Sequence, residues 1–144
     1  MDKNTNLKIL KELHKGAQMG MNSIYYVSEK VQDDNFRNEL SYQNEQYTII
    51  LDRVNKIYTK YGEVPSDGNL KDEMMAWMGI KMNTMNDDSI GKISELLVQG
   101  TNMGIIEGRR LLNHNPHADK EILDVLNDFV AFQENNVEKL KQYL

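Results

Sequence analysis

Phe36–Gly62 reads FRNELSYQNEQYTIILDRVNKIYTKYG and carries the clearest structural signal in the chain. Its apolar residues recur every three or four positions, which is the period of a helix that buries one face. The members of this seam are Phe36, Leu40, Tyr47, Ile50, Val54, Ile57 and Tyr61. Gln43 lies on the same seam. A buried amide must find hydrogen-bond partners or cost a few kcal/mol, so this position predicts a structured polar centre in a helical bundle.

The last predicted helix repeats this arrangement. Its seam runs through Ile122, Leu126 and Phe129, then through Gln133 and Asn136, and then through Leu140. We therefore predict a ligand-binding or buried polar cluster made of Gln18, Gln43, Gln46, Gln133 and Asn136, and Gln99 lies close enough to a seam to join it. The alternatives are a site for a small polar ligand and a satisfied hydrogen-bond network that sets the register of the helices.

The whole chain is predicted to be all-α and to form one domain, residues 1–144. Strand patterns are almost absent, and the prolines at 65 and 116 stand where helices must be interrupted. The predicted helices cover about 5–32, 34–61, 70–84, 89–113 and 117–142. The short helix with its loop is long enough to travel from one end of an antiparallel four-helix bundle to the other, which predicts one long crossover between the second and third long helices.

Composition excludes several classes of protein. The 144 residues carry a net charge of -5, which argues against a nucleic-acid partner. The absence of cysteine excludes disulfides, thiolate metal sites and cysteine nucleophiles. No apolar run approaches the roughly 18–20 residues that cross a bilayer, and the polar N-terminus does not resemble a signal peptide. We expect a cytoplasmic protein without a membrane partner.

A di-metal centre in a helical bundle needs about four carboxylates and two histidines, which come from one Glu on each of two helices and a Glu-x-x-His pair on each of the other two. His14, His114 and His117 are the only histidines, and none belongs to such a pair. Gln43-x-x-Gln46 and Gln133-x-x-Asn136 occupy the positions along the second and last helices where a di-metal bundle would carry its metal ligands. Neutral amides cannot balance the charge of two metal ions, so we predict no metal site. We also predict no cofactor and no catalytic residue.

Glycines recur on two of the predicted helices. Gly100, Gly104 and Gly108 share one stripe, and Gly16 and Gly20 lie on the first helix. Glycine costs about 1 kcal/mol in a helix interior, so a stripe of three needs a reason. One explanation is a close approach of the first and third long helices, or of the third helix and an aromatic ring. The other is a cavity for a ligand.

The short predicted helix carries a methionine-rich face. Its members are Met75, Met78, Met82 and Met85, with Trp77 beside them. Core packing of a crossover helix explains this face, and so does a docking surface for a protein partner or a second copy of the chain. Copper binding by thioethers is the third explanation.

Three segments together resemble the ferritin-like four-helix-bundle superfamily: MMAWMGIKM at 74–82, DDSIGKISELLVQGTNMGIIEGRRLL at 87–112 and FVAFQENNVEKLKQYL at 129–144. The pattern is similar to a bacterial branch of that superfamily whose function is unknown, and it covers nearly the whole chain. That branch tends to carry acids around a glycine of the third helix. Here Val98, Thr101 and Asn102 surround Gly100, so the resemblance transfers no metal ligand to this chain.

Three hypotheses for function follow. The first is a metal-free, non-enzymatic ferritin-like bundle that acts as a structural or protein-interaction module, with a homodimer or protein partner bound through the methionine-rich helix. The second is a module that binds a small ligand through the central amides and the glycine stripe. The third is a metal-binding oxidoreductase with an atypical site.

Overall fold

The computed structural model describes residues 3–65 and 89–144 and shows four α-helices in these ranges. They are α1 (Lys3–Ser28), α2 (Asp34–Lys60), α3 (Ile90–His114) and α4 (Lys120–Lys141). The described residues form no strand, which confirms the prediction of an all-α protein. The predicted short helix at about 70–84 lies outside the described residues.

The first helix ends four residues earlier than predicted, at Ser28 instead of about residue 32, because a turn between α1 and α2 begins there. The helix ends at Ser28, and the Lys30 N–H then donates to the Val27 carbonyl at 2.9 Å. Val31 is buried after this turn and anchors it to the core. The Asp33 carboxylate accepts a hydrogen bond from the Phe36 N–H at 2.8 Å and so caps the start of α2.

The end of α2 at Lys60 agrees with the predicted boundary near residue 61. Gly62 has a φ of 71°, a left-handed conformation that favours glycine. Its N–H donates to the Thr59 carbonyl at 3.0 Å, and the Glu63 N–H donates to the Tyr58 carbonyl at 3.2 Å. These two bonds form a Schellman motif, which satisfies carbonyls that the helix end would otherwise leave without partners.

The last helix begins later than predicted. We expected it to start near residue 117, immediately after Pro116, but α4 starts at Lys120. The intervening residues form a turn in which the Ala118 N–H donates to the Asn115 carbonyl at 3.2 Å. Ala118 is buried in this turn, so the connection belongs to the core.

Contacts between the helices fix their directions. At one end of the bundle Tyr61 bonds to Asp119, and at the other end Phe36 stacks on Tyr143 with ring centroids 4.6 Å apart, so α2 and α4 are antiparallel. The Ser94 hydroxyl donates to the Leu140 carbonyl at 2.5 Å, which makes α3 antiparallel to α4 as well. Consequently α2 and α3 are parallel, and α3 begins at the opposite end of the bundle from the end of α2.

The apolar seams of all four helices meet in one core. The largest fully buried apolar side chains are Ile9, Leu10, Leu13, Val27, Phe36, Leu40, Ile93, Ile122, Leu126 and Leu140. None of the four described helices is both long enough and apolar enough to span a lipid bilayer.

Candidate functional site

A cavity of about 510 Å³ lies at the middle of the bundle, and all four helices contribute to its walls. Its size falls within the range of about 300–1,000 Å³ that is usual for sites that bind small molecules. Most of the wall is apolar, and the aliphatic and aromatic side chains that form it are Leu13, Ile24, Leu96, Leu97, Leu111, Leu126 and Phe129.

Five glycines line this cavity: Gly16 and Gly20 of α1, and Gly100, Gly104 and Gly108 of α3. No atom of the described residues lies within 4 Å of where a Cβ on Gly100 would be, so that glycine borders open space. A Cβ on Gly20 would overlap the ring of Tyr47, and one on Gly104 would overlap the amide of Gln133. The stripe therefore allows close packing and also borders a cavity. The close neighbours of Gly104 and Gly108 are side chains of α4, and Gly20 on α1 has the Tyr47 ring of α2 as its neighbour.

Tyr47 links the cavity wall to the polar centre. Its ring packs edge-on against Phe132 and Phe129, with centroids 4.8 and 6.3 Å away. Burial raises the pKa of the Tyr47 hydroxyl above its ordinary value of 10.0, and the nearby polar side chains of Gln133, Asn136 and Thr101 offset part of that rise. The hydroxyl therefore stays neutral at physiological pH.

Gln133 and Asn136 on α4 each carry a buried polar atom without a partner among the described residues, as does Asn22 on α1. Gln133 and Asn136 are each only 2% exposed. The Gln133 Oε1 and the Asn136 Nδ2 are buried and accept or donate no hydrogen bond within the described residues. Gln133 lines the cavity, whereas Asn136 does not. An unpaired buried acceptor costs about 1–3 kcal/mol, so the hydrogen bonding of this polar centre is incomplete within the described residues.

The other predicted amides have different surroundings. Gln43 is 2% exposed and lines the cavity, and its Nε2 donates to the Glu39 Oε1 on the same helix at 3.1 Å. The half-buried Gln18 donates to Asn22 at 3.3 Å within α1, and Gln46 is half-buried on α2. Neither Gln18 nor Gln46 lines the cavity. The expectation that Gln99 could join the cluster is wrong, because its side chain is exposed.

Charged side chains occur only at the outer part of the cavity wall. Lys15 and Glu107 are exposed, and Glu12 is half-buried. Glu107 forms an ion pair with Arg110, in which the Glu107 Oε1 lies 2.6 Å from the Arg110 Nη1. Its position in the sequence just before Arg109 and Arg110 is consistent with this pair. Met103, which is 56% exposed, adds an apolar group at this side.

The donor set of the described residues does not fit a metal centre. No three His, Cys, Asp or Glu side chains in residues 3–65 and 89–144 come together in a group that could hold a metal ion. The middle of the bundle presents amides and hydroxyls, and neutral ligands of this kind do not balance two divalent cations. The predicted interaction face of Met75, Met78, Met82, Met85 and Trp77 lies outside the described residues.

Several polar residues of the interior were absent from the sequence-based cluster. Thr101 is buried on α3, where its hydroxyl donates to the Leu97 carbonyl at 2.7 Å. Asn6 is buried near the start of α1, and its Oδ1 accepts from the Asp119 N–H at 3.2 Å. Thr101 lies on the apolar stripe that contains Ile93 and Leu97, and this spacing is the signal that could have revealed it. Asn6 precedes a comparable stripe that begins at Ile9.

Comparison of the chain with family models, with curated proteins and with solved structures gave no match. The function is therefore inferred from the geometry of the cavity.

Proposed function

We propose that this protein is a non-enzymatic module that binds a small, mainly apolar molecule in the cavity at the centre of its helical bundle. The cavity of about 510 Å³, whose mainly apolar wall includes the side chains of Gln43 and Gln133, is the observation that carries this proposal. Apolar walls supply the binding free energy, at about 25 cal/mol for each Å² of apolar surface removed from water. A few polar groups then orient the bound molecule.

The glycines support a cavity that the backbone itself creates. Gly100 occupies a position in the interior of α3 where alanine favours the helix more, and an alanine Cβ there would meet no described atom within 4 Å. Packing among residues 3–65 and 89–144 therefore does not explain this glycine. A binding site explains it, because a side chain at residue 100 would project into the space that the ligand fills.

We further propose that the bundle has ferritin-like connectivity. Its support is the direction of the helices: adjacent helices are antiparallel, whereas α2 and α3, which follow each other along the chain, are parallel. One crossover between the second and third long helices produces this arrangement. In this proposal the cavity lies where other bundles of that type hold metal ions, with amides in place of the metal ligands.

The structural or interaction role, with a homodimer or a protein partner, remains a second proposal. It rests on the methionine-rich segment of the sequence, whereas the cavity is formed by described side chains. We therefore place ligand binding first. The atypical oxidoreductase receives no support from the described residues, since they bring no suitable group of metal donors together.

Binding of the neutral fluorescent probe N-phenyl-1-naphthylamine tests the proposed function. We expect the wild-type protein to bind it with enhanced fluorescence, and we expect Gly100→Leu to weaken binding about tenfold or more because the new side chain fills part of the cavity. Asn102→Leu is the matched control. It adds the same side chain to the same helix at an exposed residue outside the cavity, and it should leave the affinity nearly unchanged.

Two results would contradict the proposal. One is a wild-type protein that binds neither this probe nor smaller apolar molecules such as alkylbenzenes. The other is equal binding by the wild type and Gly100→Leu, which would place the probe elsewhere on the molecule.

A further inference from the structure

The cavity is elongated along the axis of the bundle. Its wall extends over α1 from Glu12 to Ile24 and over α3 from Leu96 to Leu111. At 1.5 Å of rise per residue, these two stretches are about 18 and 22 Å long. The same two helices are direct neighbours, because the Cα atoms of several residue pairs between them lie within 8 Å of each other. The space between them is therefore long and narrow, and it suits a molecule of that shape.

Contacts with α4 show which parts of α1 and α3 lie at the same level. A Cβ on Gly16 would lie 3.2 Å from the ring of Phe129, and a Cβ on Gly108 would overlap the side chain of the next residue, Val130. Gly16 is therefore level with Gly108. Because α1 and α3 are antiparallel, the first half of α1 lies beside the second half of α3.

The end of the cavity near the start of α1 is charged and in contact with water. Glu12, Lys15 and Glu107 lie there, within about one helical turn of the level of Gly16. Lys15 and Glu107 are exposed, and Glu12 is half-buried. A polar head group at this end keeps its contact with water, so its position costs little free energy of desolvation.

The opposite end of the cavity is buried and mainly apolar. Ile24, Leu96 and Leu97 form it, and all three side chains are buried. Gly100 lies at this end, eight residues before Gly108 and so at the level of Ile24. A head group here would lose its hydration among aliphatic side chains, which is unfavourable.

Two polar side chains near the buried end already have partners. The Gln43 Nε2 donates to the Glu39 Oε1 at 3.1 Å, and the Thr101 hydroxyl donates to the Leu97 carbonyl at 2.7 Å. Polar and apolar parts of a bound molecule are therefore favoured at opposite ends of the cavity.

We infer that the cavity binds a single-chain amphiphile with a linear alkyl tail. The methyl end of the tail lies beside Ile24, Leu96 and Leu97, and the head group lies at the end that carries Glu12, Lys15 and Glu107. The volume of about 510 Å³ is roughly three times that of an engineered cavity of about 150 Å³ that binds benzene, so a tail of about ten carbons fits. This inference rests on the proposed function, because it names the class of molecule that the same cavity takes.

Linear alcohols from 1-hexanol to 1-dodecanol test the position of the tail. Their displacement of N-phenyl-1-naphthylamine from the full chain measures affinity. Each added methylene should tighten binding about fourfold until the tail reaches the buried end, and longer tails should gain nothing more. Gly100→Leu fills the buried end, so the affinity should stop rising about two carbons earlier, whereas 1-hexanol should bind as it does to the wild type. Asn102→Leu, at an exposed residue outside the cavity, should match the wild type for every alcohol.

Charged amphiphiles test the position of the head group. Decanoate and decyltrimethylammonium have tails of similar length and opposite charge. At low ionic strength, Lys15→Glu should weaken binding of decanoate and tighten binding of decyltrimethylammonium, each by about threefold or more. Lys139→Glu is the matched control, because it makes the same change of charge at an exposed residue in the last turn of α4, near the other end of the bundle. It should leave both affinities nearly unchanged.

The outcomes separate the inference from the proposed function. If Gly100→Leu weakens short and long alcohols by the same factor, or if Lys139→Glu has a larger effect than Lys15→Glu, the inference is overturned and the proposed function stands. The same holds if the cavity binds N-phenyl-1-naphthylamine but no linear alcohol displaces it. If the wild type binds neither that probe nor any of the alcohols, the proposed function fails and the inference fails with it.

Discussion

At the scale of single residues, the contact between Tyr47 and Gly20 shapes the interior of the bundle. The ring of Tyr47 occupies the space where a Cβ on Gly20 would be, and this position turns the hydroxyl towards Gln133 and Asn136. One small residue on α1 therefore allows an aromatic ring of α2 to reach the middle of the bundle. Its hydroxyl then supplies polar contacts that the amides of α4 require.

Alanine at Gly20 is predicted to destabilise the protein. The added methyl group would overlap a buried ring that is packed against Phe129 and Phe132, and overpacking of this kind costs about 1–3 kcal/mol. Gly100→Ala is the matched control, because it makes the same exchange in a helix interior without a close neighbour. We expect that control to raise the free energy of unfolding by about 0.5–1 kcal/mol.

Urea denaturation of both variants measures these changes. An unchanged or increased stability in Gly20→Ala would show that Tyr47 can leave its position at low cost. A loss of stability in Gly100→Ala would show that residue 100 borders a filled space.

At the scale of secondary structure, the ends of the helices are set by a few polar residues and one glycine. Asp33 caps α2, Ser89 accepts from the Lys92 N–H at the start of α3, and Gly62 ends α2. These are local interactions, which explains why the sequence predicted most of the boundaries to within a few residues. The exceptions are the end of α1 and the start of α4, where buried side chains in the turns decide the boundary.

Gly62 provides a prediction for the end of α2. Its φ of 71° is unfavourable for residues with a Cβ, although no described atom lies within 4 Å of the place that a Cβ would take. Gly62→Ala should therefore lower the free energy of unfolding by about 1 kcal/mol through backbone strain alone. Gly62→Asn should lower it less, because asparagine tolerates this conformation better. Thermal denaturation followed by circular dichroism compares the two, and equal stability of Gly62→Ala and the wild type would contradict the role assigned to this residue.

At the scale of the whole molecule, one end of the bundle ties three helices together. The Tyr61 hydroxyl donates to the Asp119 carboxylate, and the Asp119 N–H donates to the buried Asn6 of α1. Lys60 and Glu121 add an exposed ion pair at 2.7 Å, which is worth at most about 1 kcal/mol. This end therefore connects α1, α2 and α4 through groups that are far apart in sequence.

The Tyr61 contact predicts a dependence of stability on alkaline pH. Burial and the nearby Asp119 raise the pKa of Tyr61 from 10.0 to about 12 in the folded protein. The folded state then holds the proton more tightly than the unfolded state, so the contribution of Tyr61 is complete below pH 10 and is lost as pH rises towards 12. Tyr61→Phe lacks this contribution at every pH.

Urea denaturation of the wild type and Tyr61→Phe at several values between pH 8 and pH 12 tests this prediction. The difference in free energy of unfolding should be constant below pH 10 and should shrink above it. Tyr47 and Tyr58 also have raised pKa values, but they are present in both proteins and their effects cancel in the difference. A difference that does not change with pH would contradict the assignment.

The linear order of residues was sufficient to predict the all-α class, the extent of the long helices and the inward position of Gln43, Gln133 and Asn136. These features depend on hydrophobic periodicity and on caps, which act over a few neighbouring residues. Periodicity shows that a residue faces inward, but it does not show which residue of another helix it meets. The contact of Tyr47 with Gly20, the seating of Gln133 against Gly104 and the cavity between them arise from how helices distant in sequence pack. For that reason they could be found only in the folded molecule.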